Sequence, residues 1–378
     1  MSEIDNLREK FDELDAKIVE LLAERLELSE NVAKSKISSK TPVYNMEREK
    51  QVILNAALKS RAYRSEITSI LKNILRISRE KQYELTFKAD NDWQLKKDIA
   101  NAQKVSLLSA NVVFCGQSGS YSETAAKTMF PHSALKGVES FETACRLAAE
   151  GKADIAVVPL ENTTAGTVNE VYDYLPKYGL YIVKSLSSGI EHSLLGVKGA
   201  TLQDIKRVVS HPQALIQCDK LIKKMNWETI TSENTAFAAE MAAEENDKTL
   251  AAIASCQTKD TYGLDIILEN INDESCNQTR FVALSRKMYI SPDAGRVSIA
   301  FNLPHESGSL ASILSIFADL ELNLVKIQSR PIPHKPWEYL FYLDFTSCTN
   351  NDNALRALYQ LENELPYLAF LGWYEEEK

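Results

Sequence analysis

The chain has 378 residues, enough for two or three domains, and its composition of 44% hydrophobic and 25% charged residues is ordinary for a globular protein. Its formal net charge of −9 argues against nonspecific nucleic-acid binding. Because no apolar run reaches membrane-spanning length and the polar start is unlike a signal peptide, we expect a cytoplasmic protein that has neither nucleic acid nor a membrane as its partner.

The first stretch carries the most regular hydrophobic pattern. Apolar residues recur every three or four positions from Ile4 to Val32, with one break at Arg25, where the pattern requires an apolar residue. This pattern predicts one long amphipathic helix over Ile4–Ile37 with a seam like that of a coiled coil. At about 1.5 Å per residue this helix is roughly 50 Å long, whereas a module of ninety residues is only about 25 Å across. We therefore expect a second copy of the chain to pack on it, in a homodimer or a higher homo-oligomer.

Two further helices are predicted, from about Asn45 to Ser60 and from about Ser65 to Thr86, after a break at Thr41-Pro42. Polar groups lie on the predicted inward faces of all three helices. Taken singly, each could mark a helix end or a side chain that reaches water. Together they predict a core site for an anionic ligand, since buried cations need anions. The candidate residues are Arg8, Arg25, Lys36, Asn45, Arg48, Glu49, Ser78 and Gln82.

These residues, in LREK, LLAER, AKSK and NMEREK and at positions 78 and 82, make residues 1–86 resemble an all-α chorismate mutase. That family rearranges chorismate to prephenate in a small helical dimer. The reaction needs no nucleophile, only a folded substrate and stabilisation of charge on the ether oxygen. The resemblance implies that Lys36 and Gln82 face that oxygen.

It also implies that Arg25 and Arg48 hold the substrate carboxylates, as bidentate guanidinium groups do well, while Arg8 reaches over from the partner subunit. Asn45 and Glu49 would bind the ring hydroxyl. The family usually has an acid at the position of Asn45, so weaker binding is expected here.

Residues 87–110 are polar and charged and are predicted to be a partly helical linker. From residue 111 short apolar strands alternate with helices, which predicts an α/β domain with mostly parallel strands. The sequence contains neither G-x-G-x-x-G nor a GKS/GKT motif, so nucleotide binding is poorly supported.

The strings GSYSETAA, VVPLENTTAGTVNEVYDYL, VVSHPQALIQC and NQTRFVALSR resemble prephenate dehydratase over 111–287. The resemblance implies two lobes of the periplasmic-binding-protein type, 111–187 with 270–287 and 188–269. It also implies removal of water and carbon dioxide from prephenate to give phenylpyruvate. Aromatisation drives that step, so no cofactor is expected.

Thr279 falls at the family's key threonine, where its hydroxyl would orient or relay a proton to the leaving hydroxyl group. A carboxyl group such as that of Glu161 is the alternative acid, if burial raises its pKa. Sequence reasoning leaves these two open. The implied substrate-binding residues are Asn162, Ser210, Gln217, Glu233, Thr279 and Arg280.

Residues 295–378 read as βαββαβ, the α+β ferredoxin-like order. They resemble an ACT domain, an amino-acid-sensing module in which phenylalanine binds between two copies and inhibits. The family's second binding motif usually opens with Glu, where this chain has Gln328. The implied effector residues are Gly308, Ser309, Leu310, Ala311, Gln328, Ser329, Arg330 and Pro331.

The six cysteines lack a CxxC pair and the five histidines are dispersed, so we expect reduced, mostly buried thiols and no metal site.

The three resemblances together imply a multidomain, bifunctional enzyme of phenylalanine synthesis that is inhibited by phenylalanine. Two alternatives stay open: a non-catalytic amino-acid-sensing binding protein that dimerises through its N-terminal helices, and an enzyme with one degenerate site.

Overall fold

The structure, a computed structural model, describes residues 2–102, 110–274, 276–332 and 335–377. It divides into two compact units, one formed by Met1–Lys97 with Ile299–Ala369 and the other by Asp98–Ser298 with Phe370–Lys378. The predicted linker 87–110 falls partly on residues 103–109, which lie outside the described residues.

The N-terminal module consists of three long helices, as predicted. They are α1 (Glu3–Ser39), α2 (Met46–Lys59) and α3 (Arg64–Ala89), with a short 3-10 helix at Arg61–Tyr63 and a further helix α4 (Gln94–Ala102). Ser2 begins α1 with a capping box that it forms with Asp5, and Lys40 ends it in a left-handed conformation just before Pro42.

The apolar stripe of α1 is exposed to solvent in the single chain. Its eight residues are between 45% and 65% exposed, and they are Ile4, Leu7, Phe11, Leu14, Ile18, Leu21, Leu28 and Val32. The two buried residues of α1, Ser29 and Ala33, lie beside this stripe, on the side of the helix that packs on α3. The apolar spacing of the third helix predicts that Ile67 and Ile70 face inward, but both are exposed in the single chain, so that prediction is wrong for this end of α3.

The region from residue 111 to residue 285 forms two lobes, each built on its own sheet. The chain crosses from the first lobe to the second near residue 190 and returns near residue 277. The first lobe contains β1 (Asn111–Cys115), α5 (Tyr121–Met129), β2 (Ala134–Val138), α6 (Phe141–Ala149), β3 (Ile155–Asn162), β4 (Gly166–Thr167), α7 (Asn169–Tyr178) and β5 (Tyr181–Gly189). The second contains β6 (Ser193–Gly196), β7 (Arg207–Ser210), α8 (Pro212–Gln217), α9 (Asp219–Met225), β8 (Glu228–Thr231), α10 (Thr235–Glu245), β9 (Leu250–Ala254), α11 (Thr258–Tyr262) and β10 (Asp265–Leu268).

The returning strand is β11 (Gln278–Ser285), and it lies between β3 and β5 of the first lobe, antiparallel to both. The second sheet has the order β10-β6-β9-β7-β8. Each lobe has a core of buried aliphatic residues, including Ile155 and Val157 in the first and Val208 and Ile253 in the second. The predicted two-lobed α/β class is confirmed.

The C-terminal module has the predicted order βαββαβ. It contains β12 (Arg296–Asn302), α12 (Ser309–Asp319), β13 (Asn323–Pro331), β14 (Tyr339–Thr346), α13 (Asp352–Glu364) and β15 (Leu368–Glu377), and β13 is the edge strand in the order β13-β14-β12-β15. Helix α13 packs on α3 of the helical module. The rings of Tyr83, Phe87, Trp93 and Tyr359 meet edge to face at this contact.

The six cysteines, all of them described, form no disulfide bond. Only Cys145 and Cys218 are buried, and Cys256, Cys276 and Cys348 are exposed, so the expectation of mostly buried thiols is wrong. In the described part of the chain, no helix combines the length and the apolar character needed to cross a membrane. The same residues contain no group of three or more His, Cys, Asp or Glu side chains arranged to hold a metal ion.

Candidate active sites and effector surface

The two side chains expected to face the ether oxygen meet between α1 and α3. Lys36 donates a hydrogen bond from Nζ to Oε1 of Gln82, 3.1 Å away, and a second to the carbonyl oxygen of Val43. Gln82 is buried and donates from Nε2 to the carbonyl of Ser78 at 3.2 Å. Both donors are therefore held in place by α1 and α3 of one chain.

Arg25 lies about three turns N-terminal to Lys36 on the same face of α1. Its guanidinium donates to the hydroxyl of Ser78, which in turn donates to the carbonyl of Ile74 at 2.7 Å. Burial lowers the pKa of Arg25 and that of Lys36, and the negative charge of Glu49 partly opposes both shifts. Arg25, Lys36, Glu49, Ser78 and Gln82 thus form one cluster, which we call the helical site.

The other expected members of this site are not brought to it within one chain. Asn45 is exposed and is the N-cap of α2, where its Oδ1 accepts from the backbone N–H of Arg48 at 2.9 Å. Arg48 is exposed as well, so the expectation that both face inward is wrong for the single chain. The side chain of Arg8 is 75% exposed, and its guanidinium lies 3.8 Å from Asp5.

In the two-lobed region, paired strands bring Thr279 and Asn162 together. The two residues are directly opposite each other on β11 and β3, and Nδ2 of Asn162 donates to Oγ1 of Thr279 at 2.8 Å and to Oδ1 of Asn277 at 2.7 Å. The Oδ1 of Asn162 accepts from the backbone N–H groups of Thr164 and Ala165. These bonds fix the amide of Asn162, so the Thr279 hydroxyl accepts there and keeps its own hydrogen for another acceptor.

Arg280 and Glu161 form a second pair on the same two strands. Nη1 of Arg280 donates to Oε1 of Glu161 at 2.9 Å, and Nη2 donates to the hydroxyl of Tyr374. Successive strand residues point to opposite faces of a sheet. The pair Arg280 and Glu161 therefore lies on the face opposite to Thr279 and Asn162, so the structure does not bring the Glu161 carboxyl group to the Thr279 hydroxyl.

The remaining expected residues lie in the second lobe. The Oε1 of Gln217 is 2.9 Å from Nε2 of His192, whose Nδ1 is 3.1 Å from the hydroxyl of Tyr121 in the first lobe. Burial lowers the pKa of His192, although the bond to Gln217 acts in the opposite direction. Ser210 is buried and donates to the carbonyl of Ile253, which is a structural role, and Glu233 is exposed beside the N-cap of α10.

Sequence reasoning missed three polar residues around these groups, Asn277, Tyr121 and His192. Asn277 is buried, and its Nδ2 has no hydrogen-bond partner among the described residues. An unpaired buried donor beside Thr279 is a natural contact for a bound carboxylate. Tyr121 and Asn277 both fall within the sequence strings that carry the family resemblance, and their place in these strings could have identified them as candidate site residues.

The expected effector residues lie in two stretches of the C-terminal module. Gly308 is the N-cap of α12 with φ of 88°, a left-handed conformation that favours glycine, and Ser309 to Ala311 form the first turn. Gln328 to Pro331 form the end of the edge strand β13, paired with β14 from Tyr342 to Tyr339. The apolar side chains of Val325 and Ile327 on this strand are exposed.

Three protein-family models match the chain in order. They are chorismate mutase type II over residues 7–83, prephenate dehydratase over 112–289 and the ACT domain over 297–363. Among solved structures, the prephenate dehydratase of Arthrobacter aurescens in complex with L-Phe is similar with a TM-score of 0.64 and 28% identity, covering 70% of this chain and 89% of that one.

Two curated relatives share the whole organisation. The bifunctional chorismate mutase/prephenate dehydratase of Buchnera aphidicola subsp. Acyrthosiphon pisum is 33% identical, and the aligned region covers 98% of this chain and 96% of the Buchnera protein. The enzyme of the same description from Escherichia coli K12 is also 33% identical, and its aligned region covers 98% of this chain and 96% of the Escherichia coli protein. The chain therefore belongs to the family of bifunctional chorismate mutase/prephenate dehydratases, enzymes that have both activities in one chain.

Proposed function

We propose that this enzyme makes phenylpyruvate from chorismate in two steps for phenylalanine synthesis, and that phenylalanine inhibits it. The observation that carries the first step is the pair Lys36 and Gln82, two donors that meet beside Arg25 in a partly buried site. Lys36 and Gln82 would stabilise the ether oxygen as it gains charge, and Arg25 would hold a carboxylate.

For the second step we propose that Thr279, whose oxygen is held by Asn162, donates a hydrogen bond to the departing hydroxyl of prephenate and orients or relays a proton to it. The hydroxyl then leaves as water while the ring carboxylate leaves as carbon dioxide, and the ring becomes aromatic. The hydrogen bond from Asn162 supports this role, because the threonine oxygen accepts it and the hydroxyl hydrogen of Thr279 stays available for the substrate. Asn277 would contact a substrate carboxylate through its unpaired Nδ2. Arg280 and Glu161, on the other face, would stabilise the strand pair. Gln217 would act through His192 at the junction of the lobes.

We further propose that the active mutase is a dimer formed through the apolar stripe of α1. Eight exposed apolar residues in one row are a large interaction surface. A second copy would also supply the guanidinium of Arg8, and it would cover Arg48 and Asn45. This arrangement completes a substrate site that one chain leaves open.

Phenylalanine would bind at Gly308–Ala311 and Gln328–Pro331 between two copies of the ACT domain. The exposed apolar residues of β13 and the L-Phe complex of the Arthrobacter aurescens relative support this proposal.

We also propose the domain boundaries 1–86, 87–110, 111–287 and 295–378. We propose a cytoplasmic location as well, which is supported by the absence of disulfide bonds among the six cysteines.

The test is to add chorismate to the purified enzyme and to follow prephenate and phenylpyruvate together, with and without phenylalanine. Formation of phenylpyruvate with no other enzyme, slowed by phenylalanine, is the expected result. Accumulation of prephenate would contradict the assignment of the dehydratase step. Unchanged chorismate would contradict the mutase assignment and favour an amino-acid-binding protein.

A further inference from the structure

Arg79 on α3 lies between two carboxylates from different modules. Its Nη1 bonds to Oε2 of Glu49 on α2, and its Nε is 3.1 Å from Oε1 of Glu364 at the end of α13. The guanidinium also lies 4.9 Å from the ring centroid of Tyr44. The side chains of Arg79, Glu49 and Glu364 are only 12%, 19% and 8% exposed. We call these three residues the buried triad.

Each member of the triad depends on the others for compensation of its charge. Burial alone would lower the pKa of Arg79, but Glu364 and Glu49 reverse the shift and raise it. Burial raises the pKa of Glu364 against the effect of Arg79, and Gln360 donates to its Oε1 at 2.9 Å. Removing one partner from such a group leaves a buried charge without compensation, which is far costlier than losing a surface ion pair.

Glu49 is also a member of the helical site. Its negative charge acts on both Arg25 and Lys36, the two cations of that site. A carboxylate that both binds the substrate and neutralises nearby cations must be held in one position, because a small displacement weakens each interaction. Arg79 is the side chain that holds it, and Arg79 is itself held from the C-terminal module.

We propose that Arg79 is a positioning residue of the mutase, which fixes the carboxylate of Glu49 in the substrate site, and that Glu364 of the ACT domain fixes Arg79. This inference rests on the proposed role of Glu49 in binding chorismate. It makes chorismate binding dependent on the position of α13, so the ACT domain acts on the mutase through a side-chain contact.

The test compares four variants of the full-length enzyme, Glu364→Gln, Glu49→Gln, the double variant and Asp319→Asn. Asp319 on α12 pairs with Arg76, one turn before Arg79 on α3, so Asp319→Asn breaks another ion pair between the same modules without touching Glu49. Glutamine keeps the size of glutamate, and dehydratase turnover with circular dichroism reports whether each variant is folded. KM and kcat for chorismate are measured separately.

Glu364→Gln should raise KM for chorismate by about fivefold with little change in kcat, because binding of the ring hydroxyl contributes equally to the ground and transition states. Glu49→Gln should raise KM at least as much, and the double variant should match Glu49→Gln, since residues in one network are not additive. Asp319→Asn should keep the wild-type KM.

Two different failures are distinguishable. An unchanged KM in Glu49→Gln would remove Glu49 from the mutase site and overturn the proposed assignment. A raised KM in Glu49→Gln with an unchanged KM in Glu364→Gln would overturn the inference alone. An equal rise in Asp319→Asn would also overturn it, because the cause would then be loosening of the modules in general.

Discussion

The side-chain amide of Asn162 on β3 donates a hydrogen bond to the hydroxyl of Thr279 on the neighbouring antiparallel strand β11, and Nδ2 and Oγ1 are 2.8 Å apart. The amide is itself fixed by two backbone N–H donors from the turn that follows β3. The threonine oxygen is thus oriented by a rigid partner, and its hydrogen is directed away from Asn162. This geometry lets a weakly acidic hydroxyl act as an oriented donor.

Replacing Thr279 with valine should lower dehydratase kcat by about 10²- to 10⁴-fold, the usual contribution of a positioned proton donor. Valine keeps the shape of the side chain, so the fold should persist. Mutase turnover in the same preparation is the internal reference, and Thr279→Ser, which keeps the hydroxyl, is the matched control. A dehydratase rate near wild type in Thr279→Val would remove the hydroxyl from the mechanism.

Lys36→Ala should lower mutase turnover by at least about 10²-fold, because it removes the donor that we propose stabilises the developing charge on the ether oxygen. The dehydratase, fed with prephenate, should keep its rate. Lys34→Ala is the matched control, since Lys34 lies two residues away on α1 and is exposed. Full mutase activity in Lys36→Ala would contradict the assignment of the helical site.

The pH dependence of the mutase should reflect the lowered pKa of Lys36. Burial disfavours the charged ammonium, so Lys36 loses its proton at a lower pH than an ordinary lysine, whose pKa is about 10.4. The kcat/KM for chorismate should therefore fall as pH rises, with a midpoint below that value. Glu49→Gln should move the midpoint lower still, because the charge of Glu49 raises the pKa of Lys36. A midpoint that moves upward in this variant would contradict the electrostatic argument.

Leu14→Lys should separate the subunits, since it puts a charge into the middle of the apolar stripe of α1. Sedimentation should show a smaller species, and mutase activity should fall because Arg8 of the partner subunit is lost. Glu20→Lys, on the opposite side of the helix, should leave the assembly unchanged. If the Leu14→Lys variant sediments and reacts like wild type, the stripe is not the mutase dimer interface.

Gly308→Ala should weaken phenylalanine binding about fivefold. Gly308 has φ of 88°, so an alanine there strains the backbone before α12 by about 1 kcal/mol or more. Open space around the added Cβ excludes a simple clash as the cause. Calorimetric titration with phenylalanine gives the affinity, and Gly295→Ala, at a glycine without positive φ, is the control. Equal affinities would place the effector elsewhere.

The fold could be predicted closely because its signals are repeated along the chain. The long run of apolar residues spaced three or four apart predicted α1 and α3, and the βαββαβ order predicted the C-terminal module. The predicted ends of these helices lie within a few residues of the observed ones. The exposure of Asn45 could not be predicted, because a residue at a helix start can cap the backbone or face a ligand.

The candidate sites were harder to predict, because no local sequence pattern shows which residues of two paired strands share a face or which distant residues form a contact. The ion pair between Arg280 and Glu161 uses the face opposite to Thr279, and only the register of β3 with β11 reveals it. The contact of Arg79 with Glu364 joins residues separated by 285 positions. The roles assigned to the individual site residues stay predictions until the variants above are measured.

The pairing of Arg280 with Tyr374 has a consequence for how the chain is made. The two residues are 94 positions apart, and Glu375 to Glu377 pair with β5 in the dehydratase sheet. A ribosome adds residues from the N-terminus at about 5–20 per second, so Arg280 emerges seconds before its partner. The dehydratase therefore reaches its final packing only after the strand Leu368–Glu377 has been made, and we expect a stop codon between residues 287 and 374 to weaken dehydratase catalysis as well as regulation.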